Sequence, residues 1–178
     1  MKFVLAPDSF KESMTAEEVC SSMEKGIKKV FIDAQCIHMP MADGGEGTLD
    51  TLINATNGKT IKEYVTGPLG ERLESRFGIL GSGDTAVIEM AEACGLQLVD
   101  TVQRNPLITT SYGVGELIVK ALDFGVKNII VGIGGTITND AGIGMLQAMG
   151  MSFLDINGKE VSYGGGEIGR IVKIDNSN

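Results

Sequence analysis

Short apolar runs alternate with amphipathic stretches along this chain, and most of the runs end in polar, glycine-containing turns. Phe3 to Ala6 is the first run, stopped by Pro7, and it predicts a strand. Thr15-Ala-Glu-Glu18 has the spacing of a capping box, in which the threonine hydroxyl takes an orphan N–H and the glutamate reaches back. Behind it Val19, Met23, Ile27 and Val30 recur at spacings of four, four and three, which makes one apolar helical face. Ala34 to Met39 predicts a second strand, ended by Pro40. Leu49, Leu52 and Ile53 predict a second helix, closed by Asn57-Gly58. The order to this point is β-α-β-α.

Residues 59 to 91 change character. Thr60 to Thr66, Leu73 to Leu80 and Thr85 to Met90 have strand composition, and Gly67-Pro68-Leu69-Gly70 and Gly81-Ser82-Gly83-Asp84 between them are turn sequences. An antiparallel meander is expected. Asn105-Pro106 marks a boundary. Thr109 or Thr110 is placed to cap a helix carrying Val114, Leu117, Ile118, Ala121 and Leu122, which Gly125 ends. The run Ile129 to Ile133 is of the kind that makes a fully buried strand, and a helix carrying Ile143, Leu146 and Met149 follows a polar turn. Beyond Gly150 the chain reads as β again: Met151 to Leu154, a hairpin turn at Asn157-Gly158, Val161, and Ile171 to Ile174. The expected fold class is α/β. A Rossmann-like parallel-sheet βα domain, residues 1–60 and 104–150, is interleaved with a second, β-rich domain, residues 61–103 and 151–178.

Composition narrows the function classes. Of 178 residues, 43% are hydrophobic and 21% charged, which allows a packed core, and no charge run suggests a disordered tail. The net charge of −8 argues against nucleic-acid and membrane partners, since both need basic surface. It does not argue against a nucleotide, whose phosphates are neutralised locally. No apolar run reaches transmembrane length, and the N-terminal run is too short for a signal peptide. Cys20, Cys36 and Cys94 are widely spaced, without metal-ligand spacing, and read as reduced thiols of a cytoplasmic protein.

Three predicted strands end in polar turns: Asp8, Ser9 and Lys11 after the first, Asp43, Gly44, Gly45 and Glu46 after the second, and Gly134 to Asp140 after Ile133. In an open parallel sheet such turns share the carboxyl edge, where ligands bind. The inventory suits phosphoryl transfer: glycine turns and a lysine hold phosphates, acids hold Mg²⁺, and one carboxylate takes the proton of an acceptor hydroxyl. Each part also has a plainer reading. Asp8 can be a turn former and Lys11 a solvated charge. Asp43 and Glu46 can be first-turn acids favoured by a helix dipole. Asn139 and Asp140 can be a helix cap. Recurrence at three strand ends favours chemistry. Asp8-Ser9 also resembles the nucleophile block of SGNH-type esterases, but the one histidine, His38, lies inside a predicted strand, where a structural role is favoured. Neither a P-loop nor a dinucleotide fingerprint is present.

Ala6-Pro-Asp-Ser-Phe-Lys-Glu-Ser13, Pro40-Met-Ala-Asp-Gly-Gly-Glu-Gly-Thr48 and Gly132-Ile-Gly-Gly-Thr-Ile-Thr-Asn-Asp-Ala-Gly142 resemble the three most recognisable blocks of the type I bacterial glycerate kinase family. Thr109-Thr-Ser-Tyr-Gly-Val-Gly-Glu-Leu117 is similar to a further stretch of that pattern. The resemblance implies two α/β domains with the active site in the cleft between them. It also implies transfer of the γ-phosphate of ATP to D-glycerate with Mg²⁺, usually giving 2-phosphoglycerate. Carried onto this chain, it makes Lys11 the residue that neutralises phosphate or glycerate carboxylate. Asp43, or else Asp140, is the base, and the other helps to hold Mg²⁺ with Glu46 on the metal side. Asp8, Ser9, Gly44 and Gly45 contact substrate or phosphate, and Gly134, Gly135, Thr136, Thr138 and Asn139 form an anion cradle. The family's chains are much longer than this one. The alternative expectation is therefore a catalytically incompetent half that folds, with a homodimer covering exposed apolar surface.

Overall fold

The computed structural model describes residues 1–10 and 13–177. It opens with β1 (Lys2–Leu5), α1 (Ala16–Val30), β2 (Gln35–His38) and α2 (Thr48–Thr56). β1 and β2 pair in parallel, Lys2 opposite Gln35 and Leu5 opposite His38, as a two-stranded sheet. The capping box at the start of α1 forms as predicted: Thr15 Oγ1 accepts the Glu18 N–H, and the Glu18 carboxylate accepts the Thr15 N–H at 2.8 Å. The predicted apolar face of α1 is covered at one end alone. Val19 and Cys20 are buried, Cys20 Sγ donating to the Leu5 carbonyl of β1 at 3.5 Å, whereas Met23 is 43% and Val30 75% exposed, because a pair of four-residue strands is too short to cover four helical turns.

The next stretch is a meander of β3 (Lys59–Thr66), β4 (Arg72–Ile79) and β5 (Thr85–Glu89). β3 and β4 pair along their full length, from Lys59 opposite Ile79 to Thr66 opposite Arg72, and β5 runs antiparallel to β4. A short helix α3 (Ala91–Cys94), α4 (Tyr112–Asp123) and β6 (Asn128–Gly132) follow. α4 starts after Ser111, which makes no side-chain cap, and Thr110 Oγ1 accepts the Tyr112 N–H at 3.2 Å. β6 pairs in parallel with β5, so the sheet order is β3-β4-β5-β6. One sheet therefore draws strands from both stretches that the sequence pattern separates. β6 lies at the sheet's edge rather than in a fully buried position: Ile130 is 42% exposed, and Ile133, just beyond the strand, 74%.

β5 organises the core. Successive strand residues point to opposite faces, so Ala86 and Ile88 meet Val114, Leu117, Ile118 and Ala121 of α4, while Val87 meets Leu49 and Ile53 of α2. The sheet thus has a helix on each face, a three-layer α/β arrangement. The chain then adds α5 (Ile143–Ala148), β7 (Ser152–Leu154) and β8 (Lys173–Asp175). Gly158, at φ +74°, turns the chain at Asn157-Gly158, β7 and β8 pair antiparallel, and Ile143, Phe153 and Val161 form a separate small core. His38 Nε2 lies 2.7 Å from Glu24, a contact between β2 and α1.

Candidate functional site

A cavity of about 460 Å³ opens where the carboxyl ends of β1, β2 and β5 meet. The loop after β1 brings Asp8 and Ser9 to it, and the loop after β2 brings Glu46 and Gly47. The third strand end is that of β5, which brings Glu89, with Glu92 just beyond it. Asp50 on α2 and Arg76 on β4 complete the charged lining used below. Asp8 turns on itself, its Oδ1 accepting the Ser9 N–H at 2.6 Å.

The Asp43–Thr48 turn is held by short-range bonds. Asp43 Oδ1 accepts the Gly45 N–H at 3.0 Å, and Gly44 N–H donates to Thr48 Oγ1 at 3.1 Å. Asp43 itself is exposed. Gly47 precedes α2 with φ +88°, a left-handed conformation that favours glycine, and no neighbouring side chain caps the helix. The cap comes from across the fold. Glu89, 2% exposed, accepts the Gly47 N–H at 3.3 Å and the Leu49 N–H at 3.1 Å. Burial pushes the Glu89 carboxyl up to about 7, with the Glu92 charge adding to the rise and the two N–H bonds and Arg76 opposing it. Arg76 bridges two elements: Nη1 donates to Asp50 Oδ1 at 2.7 Å, Nη2 to Asp50 Oδ2 at 2.9 Å, and Nε to Glu92 Oε1 at 2.8 Å.

The Gly134–Asp140 turn behaves differently. Gly134 N–H donates to the Gly44 carbonyl at 2.9 Å, and a Cβ at Gly134 would stand 2.7 Å from Gly45 Cα. Here the glycines let two loops touch backbone to backbone. The turn is also pinned to the segment after α3. Leu96 N–H donates to the Gly135 carbonyl at 2.9 Å, Thr136 bridges to Gly95, and Ile137 N–H donates to the Cys94 carbonyl at 2.9 Å. Thr138 Oγ1 donates to Cys94 Sγ at 3.7 Å, and burial pushes that thiol up to about 11. Asn139 is exposed. Asp140 is 3% exposed and accepts four hydrogen bonds: Ser111 N–H and Oγ–H at 2.8 Å each, Gly142 N–H at 3.1 Å and Gly144 N–H at 3.3 Å.

Of the residues the sequence singles out, the structure brings Asp8, Ser9 and Glu46 to one cavity. Asp43, Gly44 and Gly45 lie in the same turn as Glu46. Gly134, Gly135, Thr136, Thr138, Asn139 and Asp140 back onto Gly44 and Gly45 and do not line the cavity among the described residues. Lys11 lies outside the described residues. No three His, Cys, Asp or Glu side chains gather at a point fit for a metal ion among the described residues, and no helix among them is long and apolar enough to cross a membrane. Sequence reasoning missed Asp50, Arg76, Glu89 and Glu92. One signal was present for Glu89: a carboxylate closing the otherwise apolar run Ala86-Val-Ile88.

The model of the glycerate kinase family matches residues 3–178. The chain is 59% identical to a glycerate kinase of Haemophilus influenzae, over 98% of this chain and 46% of the relative, and 53% identical to a glycerate 2-kinase of Escherichia coli over the same shares. It is similar to the crystal structure of a putative glycerate kinase 2 from Salmonella typhimurium LT2, with TM-score 0.86 and 48% identity, over 99% of this chain and 47% of that one. The chain thus spans about half the length of the relatives it matches.

Proposed function

This chain belongs to the glycerate kinase family, and from that premise we propose that the gene product carrying it transfers the γ-phosphate of ATP to a hydroxyl of D-glycerate, giving 2-phosphoglycerate. The observation that carries the reading is the family match over residues 3–178, beside an acid-lined cavity at three strand ends. The choice of product rests on the name of the E. coli relative, a glycerate 2-kinase.

The donor set suits a hard divalent cation. Mg²⁺ is commonly held by one or two carboxylates, with water and substrate phosphates completing its shell. Glu46, which opens on the cavity, would hold it, and Mg²⁺ when bound would supply charge neutralisation to the phosphates. Asp140 carries four donors and in this arrangement holds its own turn in shape. Asp43, exposed and with one backbone N–H on its carboxylate, is the freer of the two proposed bases for the acceptor hydroxyl. Asp8 and Ser9 contribute substrate contacts, and Lys11, on the resemblance alone, neutralises phosphate. Thr136, Thr138 and Asn139 remain the proposed phosphate donors of the third turn.

The test is ADP release by the gene product with D-glycerate and Mg-ATP, with ³¹P NMR separating 2- from 3-phosphoglycerate. Turnover with 2-phosphoglycerate formed supports the reading, and turnover confined to other acceptors replaces it. Asp43→Asn should lower kcat by about 10²-fold or more; normal turnover would remove the base assignment.

A further inference from the structure

Glu89 is assigned no part by the sequence motifs or by the proposed reaction, yet it is the most deeply placed charged group in the cavity wall, 2% exposed at the carboxyl end of β5. Taking a carboxylate out of water is costly unless its lone pairs are met. Glu89 meets them with the Gly47 and Leu49 N–H groups, 42 and 40 residues back in the chain. A local Ser, Asp or Asn at the start of α2 would cap the helix at far lower cost. This chain instead has Gly47 there, in a left-handed conformation that lets the Asp43–Thr48 turn fold back, and leaves the cap to the central strand. The result is a tether. It runs from β5, whose buried residues pack on both helical layers, to the turn that carries Asp43 and Glu46.

We propose that Glu89 is a positioning residue for phosphoryl transfer, its carboxylate anchoring the Asp43–Thr48 turn and the first turn of α2 to the end of β5 so that the acids of that turn face the cavity. The inference rests on the kinase reading above. The charged groups around Glu89 fit an anchor that stays in place. Arg76 on β4 is itself clamped by Asp50 of α2 and Glu92 of α3, so a second cross-link to α2 lies beside the tether. Because catalysis by positioned groups is steep in distance, loosening this turn should show in kcat more than in binding.

The experiment uses Glu89→Gln in the gene product that carries this chain, assayed at pH 8 or above, where Glu89 is mostly the carboxylate that accepts both N–H groups. Glutamine keeps the shape and one acceptor but sets an NH₂ group against the second N–H. The expected result is a fall in kcat of about 30- to 100-fold, with KM for Mg-ATP and D-glycerate changed less than about threefold. Faster hydrogen exchange at the Gly47 and Leu49 amides should accompany it. A merely structural cap predicts the faster exchange with kcat of the folded protein within about threefold of the parent, and that outcome overturns the proposal. If the variant does not fold, the unmodified protein decides. The Gly47 and Leu49 amide resonances should shift on adding D-glycerate with Mg-ATP, and their standing still at saturating ligand overturns it. Parent protein that turns over D-glycerate beside an unaffected Glu89→Gln sinks this inference alone. Parent protein inert to D-glycerate but active on another hydroxy acid sinks the acceptor reading and leaves the Glu89 test to be read on that acid.

Discussion

The two glycine-rich turns, Asp43–Thr48 and Gly134–Asp140, look alike as sequence: each sets glycines, at least one threonine and at least one acid between a strand and a helix. In the fold they are opposites. The first leaves Asp43 and Glu46 exposed and borrows its helix cap from Glu89 on another strand. The second buries Asp140 and spends its carboxylate on four local and neighbouring donors. Composition tells which groups can bind a ligand; whether they are already occupied is decided by what packs against them.

The contrast is broken most sharply by deleting each acid. Asp140→Ala leaves the Ser111 N–H, Gly142 N–H and Gly144 N–H without their acceptor at a buried position, and it should cost about 3–5 kcal/mol of stability. Asp43→Ala removes one exposed bond and should cost under about 1 kcal/mol. Urea denaturation of both variants measures the difference, and equal costs would erase the distinction between the turns.

A second, smaller effect lies in pH. The Glu89 carboxyl titrates at about 7 in the fold against an ordinary 4.5, so the folded state binds the proton more tightly than the unfolded chain. Its contribution to stability is therefore largest below the ordinary value and is lost as pH rises toward 7, by about 3 kcal/mol in all. Urea midpoints of the parent and Glu89→Gln at pH 5 and pH 8 check the sign. The parent should lose this increment between the two pH values and the variant should not. A variant with the parent's slope would place the titration elsewhere.

The smallest expected effects separate the glycines. A methyl at Gly134 meets Gly45 backbone, which cannot move aside as a side-chain tip can, and Gly134→Ala should cost about 2 kcal/mol. At Gly44, φ is +94° with open space around the position, so Gly44→Ala should cost about 1 kcal/mol, from backbone strain alone. Thermal unfolding of the pair ranks them, and a reversed order would mean that the loop–loop contact is looser than it stands.

Local patterns were legible in the chain. The capping box at Thr15 and Glu18, the meander of β3 to β5, the turn at Asn157-Gly158 and the run of helix α4 all depend on neighbours a few residues apart, and periodicity and turn chemistry report them directly. The exposure of Val30 and of β6 was not legible, because an apolar residue carries no mark of how much sheet lies opposite it. Neither was the division of the sheets, since β5 and β6 pair across the boundary that composition suggests.

By itself the sequence determined most of the strands and the longer helices, the three polar strand-end turns and, through blocks such as Pro40 to Thr48, the family. The tertiary structure alone decided that β5 rather than β6 supplies the third strand end of the cavity, that Asp140 is occupied, and that Glu89 anchors the turn bearing Asp43 and Glu46. The physical reason is separation along the chain. Bonds that join Glu89 to residues 42 and 40 positions away, or Asp140 to Ser111 29 positions away, exist once the sheet and its helices have packed, and no local rule of spacing encodes them.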